Sequence, residues 1–438
     1  MKIIKQLCNG IAAIVTLTLT TLLLLQTFSH AQIKVTEGLF IDGYMRYRTE
    51  WDGKDFDHDT KLDSYSTLRT RIGLKAVNIV ENTTMYLLLG DSRTLGFADP
   101  YISGSHIGQN KFDNNVGAVQ AFIEIREFLR PDLTLKLGRM ENNMGRGRFF
   151  GPGNWNVNGP RTYDGFSVHY AEKNASYRFF NFWGLGGDRH WAIPGENSDN
   201  YLTGLDLRFL EENLQFLLLW DRDNRRIFDI TSGDRNKVLS QFTTMSFYKY
   251  SVGHWNFESD AAYQFGNRGF NTGKTDISAY MLSADLNYSI DNARKPVIGL
   301  AVDITSGDDG SDTGKSRYFS AEYFSKHGSQ GQMDYFTNVL SKMNGLQDFI
   351  LRFGFSPVES ARTMIDLHKF RFQKAYNSAV DGSAVNNIGY EIDTKTDYTM
   401  REGLSMRYGL CLFLPSEDWQ GKDTDLSLFS YLSFTLQF

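Results

Sequence analysis

Along most of the chain apolar and polar side chains alternate one for one, the period of a β-strand with one apolar and one polar face. Leu133, Leu135 and Leu137 alternate with Thr134, Lys136 and Gly138, the pattern breaks into a Gly/Asn/Arg-rich loop, and Phe166, Val168 and Tyr170 then alternate with Gly165, Ser167 and His169. The same rhythm places Leu39, Ile41, Met45 and Tyr47 opposite Asp42, Arg46, Arg48 and Glu50. It places Leu68, Ile72 and Leu74 opposite Arg69, Arg71 and Lys75, and Val119, Ala121, Ile123 and Ile125 opposite Gln120, Glu124 and Arg126. A soluble sheet would turn its apolar faces to a common core. A membrane barrel would turn them to lipid and keep the charges inside, where several basic residues on one strand face are better tolerated than in a dry core.

The breaks between strands sort into two kinds. Tight turns are expected at Glu81-Asn82, Arg130-Pro131-Asp132, Glu172 to Asn174, Glu211 to Asn213, Ser251 to His254, Asp291 to Lys295, Pro357 to Ser360 and Tyr398 to Glu402. Between them lie longer excursions: Asp52 to Asp63, one reaching Asn114, the loop before Arg161, those after Leu185 and Asp223, Gly266 to Thr275, Ser306 to Asn344, Tyr376 to Asn386 and Pro415 to Thr424. Short and long connections thus alternate, as in outer-membrane barrels with short periplasmic turns and long extracellular loops. The segments predict an all-β fold: a transmembrane up-and-down antiparallel β-barrel of about 18 strands, both ends on the short-turn rim. A barrel of that size is expected to leave an aqueous channel. In the last segment Leu426, Leu428, Leu432, Phe434, Leu436 and Phe438 share a face, so the chain ends on an outward aromatic residue, which resembles the C-terminal strand by which bacterial outer-membrane barrels are recognised for insertion.

Composition narrows the choice. Mean hydropathy is −0.37, and beyond the first segment no apolar run is long enough for a helical span; barrel strands need only about ten residues each. Aromatic residues make up 14% of the chain, enough for aromatic girdles, and 40 glycines supply turns. Met1 to Ala31 has the layout of a secretory signal: Lys2 and Lys5, the apolar run Ile11 to Leu25, and Ser29-His30-Ala31. Residues 32–438 are then one barrel domain, with a formal net charge of −7 in place of −5 once Lys2 and Lys5 are removed. That acidity argues against a nucleic-acid partner. Cys8 leaves with the signal, so Cys411 has no disulfide partner within the chain.

The stretch Leu137 to Gly165, LGRMENNMGRGRFFGPGNWNVNGPRTYDG, resembles the alginate-export-type porin family of Gram-negative outer membranes, with its Leu-Gly-Arg strand end, Asn-Trp-Asn loop and Arg-Thr-x-Asp return. Ile304 to Asp308 followed by His327, Gly331 and Met333-Asp334-Tyr335-Phe336, Tyr390-Glu391, and the strand Gly403 to Pro415 agree with it. The resemblance implies an 18-stranded barrel with a charged constriction through which anionic polysaccharide leaves the periplasm, and periplasmic secretion partners. It puts Arg139, Glu141, Arg148, Arg161 and Asp164 near that constriction.

Sorting inward positions by charge adds a separate expectation. The first half is mostly basic: Arg46, Arg48, Arg69, Arg71, Lys75, Arg126, Lys136, Arg178 and Arg208, against Asp42, Glu50, Glu124 and Asp206. The second half is mostly acidic: Asp221, Glu258, Asp260, Asp285, Asp303, Asp348, Asp366, Glu391 and Asp393, against Lys249, Arg352 and Arg407. Neighbouring strands are consecutive in such a barrel, so the two sets would line opposite walls, with the basic wall focusing anions such as uronates; the competing reading is that charges pair between adjacent strands.

For chemistry the sequence offers little. The histidines are scattered, and His327 with Asp334 in the longest loop is the best candidate for a hydrolytic site. Asp308, Asp309 and Asp312 offer oxygen ligands for Ca²⁺, at a spacing unlike an EF-hand. Gly314-Lys315-Ser316 lacks the first glycine of a phosphate loop, because Asp309 stands there. Trp155 would offer a face to a sugar or cover the pore mouth. The expectation is a passive channel without cofactor or metal, for anionic oligo- or polysaccharides or small anions, gated by the inward loops Met144 to Pro160 and Gly307 to Asn344. Its alternatives are a general solute porin and a barrel hydrolase or surface-binding protein.

Overall fold

The computed structural model describes residues 33–56, 62–95, 116–148, 150–151, 155, 161–186, 200–223, 237–270, 273–321, 323, 327, 330–337, 344–421 and 425–438; the expected signal segment lies outside them. One antiparallel sheet closes on itself. Its strands are β2 (Leu39–Gly53), β3 (Asp63–Val77), β4 (Thr83–Leu95), β5 (Gly117–Arg126), β6 (Leu133–Glu141), β7 (Thr162–Ala171), β8 (Ala175–Gly186), β9 (Asn200–Phe209) and β10 (Leu214–Asp223), followed by β11 (Lys237–Val252), β12 (Trp255–Phe270), β13 (Gly273–Ser289), β14 (Val297–Thr305), β16 (Leu346–Phe355), β17 (Ala361–Asn377), β18 (Ala384–Arg401), β19 (Leu404–Pro415) and β20 (Ser427–Gln437). Each pairs with its neighbours in sequence, and β20 returns to β2 from Tyr44↔Gln437 to Gly53↔Leu428. These are the 18 expected strands. Two short additions stand outside the ring: β1 (Ile33–Thr36) folds back on β2, and β15 (Lys315–Ser316) runs parallel to β13.

Alternation holds along the wall. On β14, Ile298 and Leu300 are exposed while Ala301 and Asp303 are buried; on β16, Phe349, Leu351 and Phe353 are exposed while Asp348 and Ile350 are buried. The exposed set is the outer, lipid-facing surface, and it is apolar because an uncompensated charge there is costly.

Two expectations are corrected. Gly266 to Thr275 is no long excursion: β12 and β13 stay paired to Phe270↔Gly273, leaving only 271–272 between them. Gly266 and Gly269 are strand residues at positive φ, where a Cβ would lie 2.1 Å from the Ser240 carbonyl oxygen and 2.2 Å from that of Gly273, so these glycines serve close backbone approach rather than a turn. The interior is also less open than expected. Two clusters of buried apolar side chains lie inside the ring, one around Phe150, Tyr163, Phe180 and Phe182 and one around Phe336, Phe370, Phe413 and Phe429.

The terminal aromatic is seated as the alternation predicts. Phe438 exchanges backbone hydrogen bonds with Gly43 at 2.9 and 3.0 Å, and its ring lies where a Cβ on Gly43 would be, 2.1 Å from the nearest ring carbon. Gly43→Leu should therefore unseat Phe438 and destabilise the barrel by about 1–3 kcal/mol, as overpacking generally does. Denaturant unfolding in detergent reads this as a lowered midpoint; an unchanged midpoint would contradict the packing.

Candidate functional site

The lumen carries the charges, and the register decides which meet. On β2 and β3, Arg46 stands opposite Arg69 and Tyr44 opposite Arg71, with Arg48 one inward position further along β2. Arg46, Arg48 and Arg69 are buried. Arg48 pairs with Glu50, and Arg71 approaches Glu141 at 3.9 Å. Four guanidinium groups thus gather on two adjacent strands beside those two carboxylates. Below them toward the short-turn rim, a cavity of about 320 Å³ is lined by Asp42, Tyr44, Arg71, Tyr86, Gln120 and Glu141 among others. Tyr86 donates to Asp42 at 3.1 Å.

Elsewhere the expected inward residues pair with neighbours. Asp206 lies between Arg178 at 2.9 Å and Arg208 at 3.0 Å, and the Lys136 ammonium sits 3.6 Å over the Phe122 ring. Arg352 spans Asp285 at 2.6 Å and Asp366 at 2.8 Å. Arg407 meets Asp397 at 2.5 Å. His368 contacts Asp348 at 2.9 Å and Asp393 at 3.5 Å. Lys75 shares the inward face of β3 with Arg69 and Arg71, and Arg126 lies exposed beside the short-turn rim.

Arg139 and Asp164 are not at a constriction. Met140 and Tyr163, their neighbours along β6 and β7, are buried inside, so alternation turns the pair outward, where Arg139 holds Asp164 through two hydrogen bonds of 2.7 Å. Their mutual pairing offsets the cost of charge on that face. Glu141, at the strand end, does reach the lumen. Arg161 reaches the Gly151 carbonyl at 3.4 Å at the base of the loop.

Two loops cross the ring. In the first, Arg146 reaches the far wall, binding Asp260 at 2.7 Å and Ser283 at 2.7 Å, and Arg148 pairs with Asp303 at 2.5 Å. Further along the same loop, the Trp155 carbonyl accepts from Arg46 and Arg48, each at 2.9 Å, on the basic wall. The second loop, between β14 and β16, is tied to β10 by Tyr323 donating to Asp221 at 2.6 Å and to β12 by Gln264 and Ser320. At its other end the backbone N–H groups of Gln332 and Met333 donate to Glu391 at 2.7 and 2.9 Å, and Tyr335 donates to Ser427 at 2.7 Å. The loops also hold each other: Gly151 N–H donates to the Tyr323 carbonyl at 2.7 Å, and Trp155 stacks on His327 with ring centres 3.5 Å apart. The Arg48 guanidinium covers the other Trp155 face at 3.7 Å, so the indole is a pin between wall and loop, with neither face offered to a sugar.

The other chemical candidates resolve into structure. His327 bonds Asp334 at 3.0 Å within its own loop. Asp308, Asp309 and Asp312 cap backbone N–H groups of Gly310, Ser311 and Gly314 and pair with Lys374 and Arg317. Among the described residues no group of three or more His, Cys, Asp or Glu is arranged to hold a metal ion.

Alternation alone missed the apolar inner lining. Phe180 and Phe182 on β8 and Leu217 and Leu219 on β10 are buried inside although Phe179, Leu218 and Trp220 are exposed outside. With both faces apolar the period disappears, and only the inward loops, which cover the inner side chains, explain them.

The family model for alginate export matches residues 209–420. The distinctive motif of the resemblance, Leu137 to Gly165, lies outside that stretch, while its further segments, Ile304 to Asp308, Tyr390-Glu391 and Gly403 to Pro415 among them, lie inside it. No curated protein sequence is significantly similar to this one. Solved structures share the fold: the BenF-like porin of Pseudomonas fluorescens Pf-5 has a TM-score of 0.59 at 12% identity, covering 92% of this chain and 99% of its own. OccK11 (OpdR) of Pseudomonas aeruginosa gives 0.57 at 13% identity, over 94% and 99% of the two chains. OpdK of Pseudomonas aeruginosa, crystallised with vanillate, gives 0.55 at 13%, over 92% and 99%. The chain thus has the barrel fold of these outer-membrane porins.

Trp155→Ala removes the pin that both loops share. It should raise single-channel conductance several-fold while the barrel still folds; unchanged conductance would contradict the pinning. The second loop yields a pH prediction. Hydrogen bonds from Ser311 hold the Asp309 carboxyl below its ordinary range, and the Gly314 N–H and Arg317 do the same for Asp312. A depressed carboxylate stabilises the loop above its unfolded pKa and loses that contribution only as pH falls through the lower folded value. Intrinsic-rate-corrected hydrogen exchange at Ser311 and Gly314 should therefore stay protected at a pH of about 4, where free aspartates titrate; loss of protection there would contradict it.

Proposed function

We propose that the barrel is a passive channel for anionic solutes, sugar acids and their oligomers among them, whose passage is controlled by the two crossing loops. The observation that carries this reading is the gathering of Arg46, Arg48, Arg69 and Arg71 on β2 and β3, beside Glu50 and Glu141. Packed guanidinium groups repel one another, so the arrangement is costly for the fold and attractive to an anion, which gains the Arg46 and Arg48 donors when the loop carrying the Trp155 carbonyl moves off them. The cavity adjoining Arg71 adds two tyrosines and two glutamines, polar and ring surfaces suited to a hydroxylated solute. The alginate export match supports polysaccharide, and a similar barrel crystallised with vanillate, a small carboxylate, supports smaller anions.

A general solute porin is the second reading. It is favoured by the acidic residues of β12 to β14, which a channel for anions alone would not need. Two measurements separate them. In planar bilayers under a salt gradient, the reversal potential should show anion preference, and Arg46→Ala with Arg69→Ala should reduce the anion-to-cation permeability ratio several-fold. Liposomes should swell faster in galacturonate than in a neutral sugar of equal size. Equal swelling, with a reversal potential near zero that the substitutions leave in place, would favour the general porin.

A further inference from the structure

The acidic wall has an occupant of its own. On three consecutive strands Glu258 faces Asp285, and Asp260, Ser283 and Asp303 lie in one cross-strand row. Like charges set opposite each other weaken a sheet, so the wall is explained by what it holds. Lys249 answers Glu258 at 3.4 Å and Arg352 answers Asp285 at 2.6 Å, both from the barrel itself. The loop answers the rest: Arg146 binds Asp260 through Nε at 2.8 Å and through Nη2 at 2.7 Å, adds the Ser283 hydroxyl at 2.7 Å, and lies 3.6 Å from Asp285 and 3.8 Å from Glu258. Arg148, two residues on, pairs with Asp303. The Asp260 side chain is fully buried, and its Oδ1 takes no hydrogen bond.

We infer that this wall is a binding site for a small dication with a guanidinium or ammonium group at each end, and that Arg146 and Arg148 fill it as a tethered ligand. Three features support this. The loop's two cations match the two carboxylates that the barrel's own cations leave to it. Gly145 presses the loop backbone onto the wall, since a Cβ there would sit 3.2 Å from Asp260 Oδ1 at a φ of +51°. Asp260 Oδ1, covered by the loop but left without a hydrogen bond, gives a ligand that displaces the loop an acceptor the loop does not use. A free dication then competes with the loop, and by linkage its binding favours the state in which the loop has left the lumen. The inference concerns the wall opposite the basic strands and stands apart from anion passage.

Agmatine, with a guanidinium at one end and an ammonium at the other, is the probe. With the full chain in detergent, it should bind Arg146→Ala/Arg148→Ala at least tenfold more tightly than the unsubstituted protein by calorimetry. In bilayers it should raise the conductance of the unsubstituted channel. Asp260→Asn/Asp303→Asn should abolish both responses while the reversal potential stays on the anion side or moves further toward it. Equal agmatine affinity with and without the two arginines, or a response that survives the asparagine pair, would overturn the inference. If the alanine pair gives no folded, heat-modifiable band, Arg146→Lys/Arg148→Lys takes its place: it keeps the charge and loses the forked contacts, so agmatine should open it at lower concentration, and a response equal to that of the unsubstituted channel would overturn the inference.

Discussion

In hydrocarbon no water is present to satisfy a peptide group, so every N–H and C=O in the spanning wall must find its partner within the sheet. This chain meets that demand by closing β20 onto β2 over ten residue pairs, Tyr44↔Gln437 to Gly53↔Leu428. Closure removes the sheet edges, and it gives each strand one face in lipid and one in the lumen. The apolar exterior and charged interior both follow from that condition. So does the small role of helix, which among the described residues includes a single turn at Glu417–Gln420 and a 3₁₀ turn at Tyr335–Thr337.

A wall of 18 strands encloses more space than its side chains fill, and here the loops take up much of it. Each loop makes both kinds of contact. Rings such as Phe150, Tyr323 and Phe336 pack against apolar inner positions, while Arg146, Arg148 and the Gln332 and Met333 N–H groups meet wall carboxylates. The apolar contacts hold the loops in place without regard to direction, and the polar ones set which residues meet. Because the polar contacts sit on the charges that line the passage, a loop that moves also changes the field a solute meets.

Much of this was legible in the sequence because it depends on neighbours a few residues apart. Alternation and turn residues gave the strand number, the sorted connections and the outward seat of Phe438. Alternation from Leu135 and Leu137 already places Arg139 on the outer face, and the motif resemblance led elsewhere. What stayed hidden depends on residues far apart. Nothing near Arg146 says that it lies beside Asp260, 114 positions on, although two arginines spaced by glycines in a loop, set against an acid-rich half-chain, are a signal in retrospect. Phe180 and Phe182 were obscured because buried rings on the inner face and lipid-facing rings on the outer face look alike along the chain. Gly266 and Gly269 read as turn residues because a sequence does not distinguish a glycine that bends the chain from one that lets two strands come close.

Which face of each strand meets lipid decides the whole architecture, and nitroxide scanning along β14 in lipid bilayers tests it most directly. Labels placed one at a time at positions 298 to 304 report collisions with oxygen, which concentrates in hydrocarbon. Maxima at 298, 300, 302 and 304, with minima at 299, 301 and 303, are the predicted result. Maxima on the odd-numbered positions, or no period of two, would contradict it.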